Sequence, residues 1–79
     1  MAPKLIVYST PLCPPCETLK RILKTEGLAF DVVDLLVDEE AATLMEREGV
    51  RSSPALSIDG RIYSGADLEM GNLVALLDL

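Results

Sequence analysis

Apolar and polar positions follow two different periods along this chain, and the switches between them mark the elements. Residues 4–9 are almost continuously apolar through Leu5-Ile6-Val7-Tyr8, the pattern of a central strand covered on both faces. Thr10-Pro11-Leu12 breaks that run. From residue 14 to about 26, Leu19, Ile22 and Leu23 recur at helical spacing, with Lys20, Arg21 and Lys24 turned outward. Pro14 and Pro15 suit a first turn, whose N–H groups have no intrahelical partner, and Gly27 suits the position just past the helix end. Residues 30–36, carrying Val32, Val33, Leu35 and Leu36, predict a second strand. Strand, helix and strand in this length predict a right-handed unit with the two strands parallel.

Asp38 is a good N-cap, and Glu39 and Glu40 in the first turn suit the positive end of a helix. Ala41, Leu44 and Met45 give that helix one apolar face, and Gly49 ends it. Val50-Arg51-Ser52-Ser53 reads as a loop, followed by a short strand over residues 54–58. Asp59-Gly60 is a two-residue hairpin signal, with Arg61-Ile62-Tyr63 returning. Ser64-Gly65-Ala66-Asp67 matches a capping box opening the final helix, where Leu68, Met70, Leu73, Val74 and Leu77 form the expected buried stripe. Gly71 inside that helix costs ~1 kcal/mol relative to Ala, which fits either close packing or a kink.

Composition narrows the class. Seventy-nine residues, 49% of them hydrophobic and 25% charged, make one small globular domain, residues 1–79. One Phe, two Tyr and no Trp leave the core to aliphatic side chains. A net charge of −6 disfavours nucleic acid and anionic membranes as partners. The acidic residues crowding the second helix read as solvated surface. Met1-Ala2-Pro3-Lys4 leads into an apolar run too short for a signal peptide or a membrane span.

The candidate chemistry lies in Cys13-Pro14-Pro15-Cys16, which holds both cysteines of the chain. A structural bridge this short would constrain the unfolded chain little. A zinc site needs about four ligands, and the chain has no His and no further Cys. Two thiols at the mouth of a strand-to-helix junction can close a disulfide and reopen it. A helix N-terminus also favours the reactive thiolate. With no cysteine left for a stabilising framework, a reducing cytoplasm is the expected compartment.

The order of elements, with C-x-x-C at the first strand–helix junction, resembles the thioredoxin fold in its smallest, glutaredoxin-like form. That is a four-stranded mixed α/β sheet, β-α-β-α-β-β-α, flanked by three helices. Three local matches carry the resemblance: Cys13-Pro14-Pro15-Cys16, Ser53-Pro54 opening the third strand, and Tyr63-Ser64-Gly65-Ala66-Asp67 before the last helix. It implies a cis Pro54 facing the cysteine pair, with Ser53 offering backbone groups to an extended substrate and Tyr63 to Asp67 framing the groove. The implied reaction is thiol–disulfide exchange. Cys13 attacks a protein disulfide, Cys16 resolves the mixed disulfide, and no cofactor is needed beyond the redox-active pair.

The segments Gly49 to Pro54 and Tyr63-Ser64-Gly65 are similar to the NrdH-type redoxins. Those accept electrons from thioredoxin reductase and pass them to ribonucleotide reductase. NrdH-type chains usually show W-S-G-F and C-x-Q-C, where this one has Tyr63-Ser64-Gly65-Ala66 and C-P-P-C. Glutaredoxins typically hold glutathione with a basic residue just before the motif. Ser9, Thr10, Pro11 and Leu12 supply none, leaving Arg51 as the candidate cation, although the helix end at Gly65-Ala66-Asp67 offers N–H groups to a carboxylate. The alternatives are a glutathione-dependent glutaredoxin, an iron–sulfur protein built from two copies and two glutathiones, and an inert interaction module. A monomer is expected. Because Pro14 and Pro15 lack N–H groups, the Cys13 thiolate is expected to be only modestly stabilised, and the pair reducing.

Overall fold

In the computed structural model, which describes residues 3–51 and 53–79, β1 is Leu5–Ser9 and α1 is Pro14–Thr25. They are followed by β2 at Asp31–Asp34, α2 at Glu39–Arg47, β3 at Ala55–Ile58 and β4 at Arg61–Ser64. A short 3₁₀ turn, Gly65–Leu68, precedes α3 at Met70–Leu77. Met1, Ala2 and the loop residue Ser52 lie outside the described residues. No helix among the described residues is long and apolar enough to cross a membrane.

The sheet order is β2-β1-β3-β4, with β1 parallel to β2 and antiparallel to β3. This is the thioredoxin-like α/β arrangement expected from the sequence. Side chains alternate across a strand, so β1 feeds two cores. Leu5 and Val7 pack with Leu19, Leu23, Leu56 and Leu73, on the face covered by α1 and α3. Tyr8 packs with Ala41, Met45 and Ala55 under α2. A strand buried on both faces has no polar side to show, which is why its sequence is a continuous apolar run.

Local chemistry ends the elements as expected. Gly27 and Gly49 take φ of +71° and +75°. At each helix end the glycine N–H and the next N–H turn back onto helical carbonyls: Gly27 to Lys24 and Leu28 to Leu23, Gly49 to Glu46 and Val50 to Met45. This reciprocal pattern is the Schellman stop. Asp38 caps α2, its Oδ1 accepting from the Ala41 N–H at 2.9 Å. Asp59 and Gly60 both have positive φ, 50° and 90°, as a type I′ hairpin requires.

Three expectations are corrected. The second strand stops at Asp34 rather than running to residue 36, because Asp34 Oδ1 accepts the Leu36 N–H at 2.9 Å and bends the chain into a turn. Leu36 is therefore exposed, as are Val37 and, on the uncovered sheet edge, Val32. The capping box does not form. Gly65 takes φ +58°, outside the range of an α-helical first turn, and Ser64 makes no side-chain capping bond. The chain makes one 3₁₀ turn, Glu69 is extended with ψ 149°, and the α-helix starts only at Met70. In that shorter helix Leu73 is buried and Leu77 partly so, while Met70 and Val74 face solvent.

Two stability measurements follow. Leu23 is fully enclosed, so Leu23→Ala is expected to cost about 2–5 kcal/mol in urea unfolding, a large share of the ~5–15 kcal/mol typical of a domain. Gly71 lies in the first turn of α3 with ordinary φ, and a Cβ there meets nothing within 4 Å. Close packing does not hold it as glycine, and Gly71→Ala is expected to stabilise by about 0.4–1 kcal/mol.

Candidate active site at the junction of β1 and α1

Between β1 and α1 the chain turns through Pro11 and Leu12. Leu12 takes φ +55° and its side chain lies wholly in solvent. A non-glycine residue in this left-handed region costs about 1–2 kcal/mol, strain of the kind found where a site fixes its backbone. The turn delivers Cys13 to the N-cap of α1 in an extended conformation, φ −119° and ψ 92°.

Cys13 and Cys16 are joined as a disulfide, with Cα atoms 5.2 Å apart. Cys13 is half-exposed, whereas Cys16, one turn into the helix, is 1% exposed. Cys13 Sγ occupies the place of a capping oxygen and accepts the Cys16 N–H at 3.2 Å. It receives no other backbone donor from the opening turn. Pro14 and Pro15 stand at the first two helical positions without N–H groups, and the Glu17 N–H is spent on the Cys13 carbonyl at 3.1 Å.

A second donor comes from far along the chain. The Ser53 hydroxyl donates to Cys13 Sγ at 3.4 Å and lies 2.7 Å from the Thr10 hydroxyl. Ser53 precedes Pro54 across a cis peptide bond. Beside them runs a groove of about 560 Å³, with a largely apolar lining. Pro14, Pro15, Thr18 and Ile22 of α1 form one wall; Ser53, Pro54, Gly65 and Leu68 form the other; Glu69 is the one charged residue among the described lining.

This geometry performs disulfide exchange. The accessible sulfur can be reached by a second disulfide from the groove, and the buried sulfur is placed to displace that partner afterwards. The glutaredoxin family model matches residues 5–63 of the chain. The chain belongs to the glutaredoxin family.

Glutaredoxins are thiol–disulfide oxidoreductases, and the Cys13–Cys16 pair supplies that chemistry here. A glutaredoxin-like 8.6 kDa protein in the rubredoxin operon of Clostridium pasteurianum is 38% identical over 63 residues, covering 75% of this chain and 80% of that one. The crystal structure of the thioredoxin-like protein BC3987 superimposes with a TM-score of 0.80 at 33% identity, covering 94% of this chain and 100% of the other. The NrdH-redoxin of Escherichia coli shares the fold, with a TM-score of 0.74 at 24% identity over 78% of this chain and 82% of its own.

Most of the residues singled out in the sequence fall into three hollows. Ser53, Pro54 and Gly65 line the groove beside the cysteines, together with Pro14 and Pro15. Arg51 lines a second hollow against α2, on the other side of Ser53. Ser64 and Asp67 face a polar depression with Glu48, Asp59 and Arg61, and Tyr63 sits in β4 opposite Leu56. The helix start expected at Gly65 to offer N–H groups to a carboxylate is a single 3₁₀ turn instead. Sequence reasoning missed the Ser53 hydroxyl as a donor to sulfur and Thr10 as its partner. A hydroxyl on the residue before Pro54 was the available signal.

Glu17 bears on the site differently than its adjacency to Cys16 suggests. Its carboxylate lies 2.8 Å from Lys20 Nζ, and that hydrogen bond, followed by the Lys20 charge, holds it below the ordinary carboxylate value. Glu17 is thus anionic at neutral pH but matched by a cation on its own helix, which blunts its repulsion of a thiolate.

Pro15→Tyr tests the donor count. The substitution restores one N–H in the opening turn, and a hydrogen bond to a charged group is worth about 1.5–3 kcal/mol. Ultraviolet titration of the thiolate is expected to show at least a roughly tenfold rise in the thiolate-to-thiol ratio at fixed pH. An unchanged or lower ratio would show that backbone donors do not tune Cys13.

Proposed function

We propose that this glutaredoxin-family protein is an NrdH-type dithiol redoxin, recycled by a thioredoxin reductase and donating electrons to ribonucleotide reductase. The observation that carries this reading is the charge of the groove. A glutathione-using site needs cations for the tripeptide's carboxylates, whereas the described lining beside Cys13 holds only Glu69. Arg51 faces the neighbouring hollow. An apolar groove next to a half-exposed sulfur suits an extended polypeptide, with Ser53 and Pro54 positioning its backbone. The protein acts as a monomeric, single-domain carrier in the cytoplasm, with the Cys13–Cys16 pair as its sole redox group.

In the proposed cycle the Cys13 thiolate attacks a substrate disulfide, forming a mixed disulfide and releasing one substrate thiolate, which takes a proton from water. Cys16 loses its proton and attacks Cys13 Sγ, releasing the second substrate thiolate. The substrate gains two electrons and the redoxin is left as the disulfide.

Cys13→Ser is expected to abolish reduction of protein disulfides. Cys16→Ser is expected to accumulate a stable mixed disulfide, visible by mass spectrometry and released by dithiothreitol. Wild-type rates in the Cys16→Ser protein would exclude the dithiol cycle.

The choice of reductant is tested by NADPH oxidation coupled either to thioredoxin reductase or to glutathione with glutathione reductase. Faster turnover is expected with thioredoxin reductase. Comparable or faster recycling by millimolar glutathione would make the protein a glutathione-dependent glutaredoxin.

A further inference from the structure

Thr10 hydrogen-bonds to Ser53 rather than to either sulfur of the motif: its hydroxyl lies 2.7 Å from that of Ser53, which donates to Cys13 Sγ at 3.4 Å. The two hydroxyls come from residues 43 apart in sequence. They join the end of β1 to the loop before β3. Ser53 lines both the groove and the hollow behind it, while Thr10 lines only the hollow. Thr10 therefore reaches Cys13 through Ser53, from the side away from substrate.

We propose that Thr10 is a positioning residue: by donating to the Ser53 oxygen it holds the Ser53 proton toward Cys13 Sγ, so that the bond is already aimed when the sulfur becomes a thiolate. Each hydroxyl has one proton to donate and lone pairs to accept with. In the disulfide form the Ser53 proton goes to Cys13 Sγ, which leaves Thr10 to donate its own proton to the Ser53 oxygen at 2.7 Å. A disulfide sulfur is a weak acceptor, so the Ser53 bond is weak before reduction. On reduction, the dithiol that recycles the protein becomes a disulfide. Its two electrons leave Cys13 as thiolate and Cys16 as thiol, and its second proton goes to solvent. The same Ser53 bond then reaches an anionic sulfur and strengthens, because a hydrogen bond to a charged group is the stronger kind. No proton moves between heavy atoms and neither hydroxyl changes partner. Hydrogen bonds in such a chain polarise and strengthen one another. The relay thus supplements the single backbone donor left by Pro14 and Pro15.

This inference rests on Cys13 being the attacking thiolate. The test is ultraviolet titration of the Cys13 thiolate in Thr10→Val, Thr10→Ser, Ser53→Ala and the double variant Thr10→Val/Ser53→Ala, each in a Cys16→Ser background so that one thiol is read. The charged residues lining the two hollows, Glu69 on one side and Glu46 and Arg51 on the other, are the same in every variant, as is the Glu17–Lys20 pair. Ser53→Ala is expected to lower the thiolate-to-thiol ratio about tenfold or more, since it removes a bond to a charged group. Thr10→Val is expected to lower it about two- to fivefold through lost polarisation, and Thr10→Ser to restore it. Because Thr10 acts through Ser53, the double variant is expected to match Ser53→Ala alone. An unchanged ratio in Thr10→Val, no recovery in Thr10→Ser, or additive losses in the double variant would overturn the relay. Failure of the functional reading is separate: it would appear as undiminished disulfide reduction by Cys13→Ser.

Discussion

The structure turns on the sulfur that caps its first helix. A helix start normally presents a set of free N–H groups, and an anion placed there draws on all of them. Here two of those groups are missing by covalent structure, at Pro14 and Pro15, and the next N–H along, that of Glu17, closes the first helical turn on the Cys13 carbonyl. What remains is the Cys16 N–H at 3.2 Å. The prolines cost the helix nothing in hydrogen bonding, because first-turn donors have no intrahelical acceptor, and they hold φ near the helical value. They give rigidity to the motif and withhold stabilisation from the thiolate.

The rest of the fold exists, in functional terms, to bring a second strand end against that helix start. β1 is locked between β2 and β3 and buried on both faces, so its C-terminal end has little freedom. Leu12 turns the chain sharply out of it, and β3, paired beside β1 in antiparallel register, enters from the same end through Ser53 and Pro54. The backbone donors missing from the helix start are thereby partly replaced by a hydroxyl from across the sheet. The groove alongside is apolar because α1 and the segment before α3 meet there over Ile22 and Leu68, which also pack against the core beneath.

Most of this was legible in the sequence where the physics is local. The apolar run of β1, the helical spacing of Leu19, Ile22 and Leu23, the Asp38 cap and the glycine stops at Gly27 and Gly49 each depend on residues within a few positions, and each element formed as the pattern predicts. The failures share a different cause. Leu35 and Leu36 extend an apolar run, but one Asp34 side-chain bond to the Leu36 N–H ends the strand first. Ser64 to Asp67 has the letters of a capping box, but Gly65 can adopt either sign of φ and here adopts the positive one. The contact of Ser53 with Cys13 spans 40 residues and becomes visible only once β3 is placed beside β1. The cysteine pair was evident from spacing alone, whereas the hydroxyls that address it are common residues whose meaning comes from tertiary position.

The central claim is that a cap with so few donors leaves the thiolate, and hence the reduced protein, only modestly stabilised, so that the pair is a reductant. The most direct measurement is the equilibrium reduction potential of Cys13–Cys16, obtained by poising the protein in dithiothreitol or glutathione redox buffers and counting free thiols by alkylation. A value near thioredoxin's ~−270 mV is predicted. A value near the ~−120 mV of DsbA would mean that the reduced form is strongly stabilised by something other than the donors seen at Cys13, and would contradict the account.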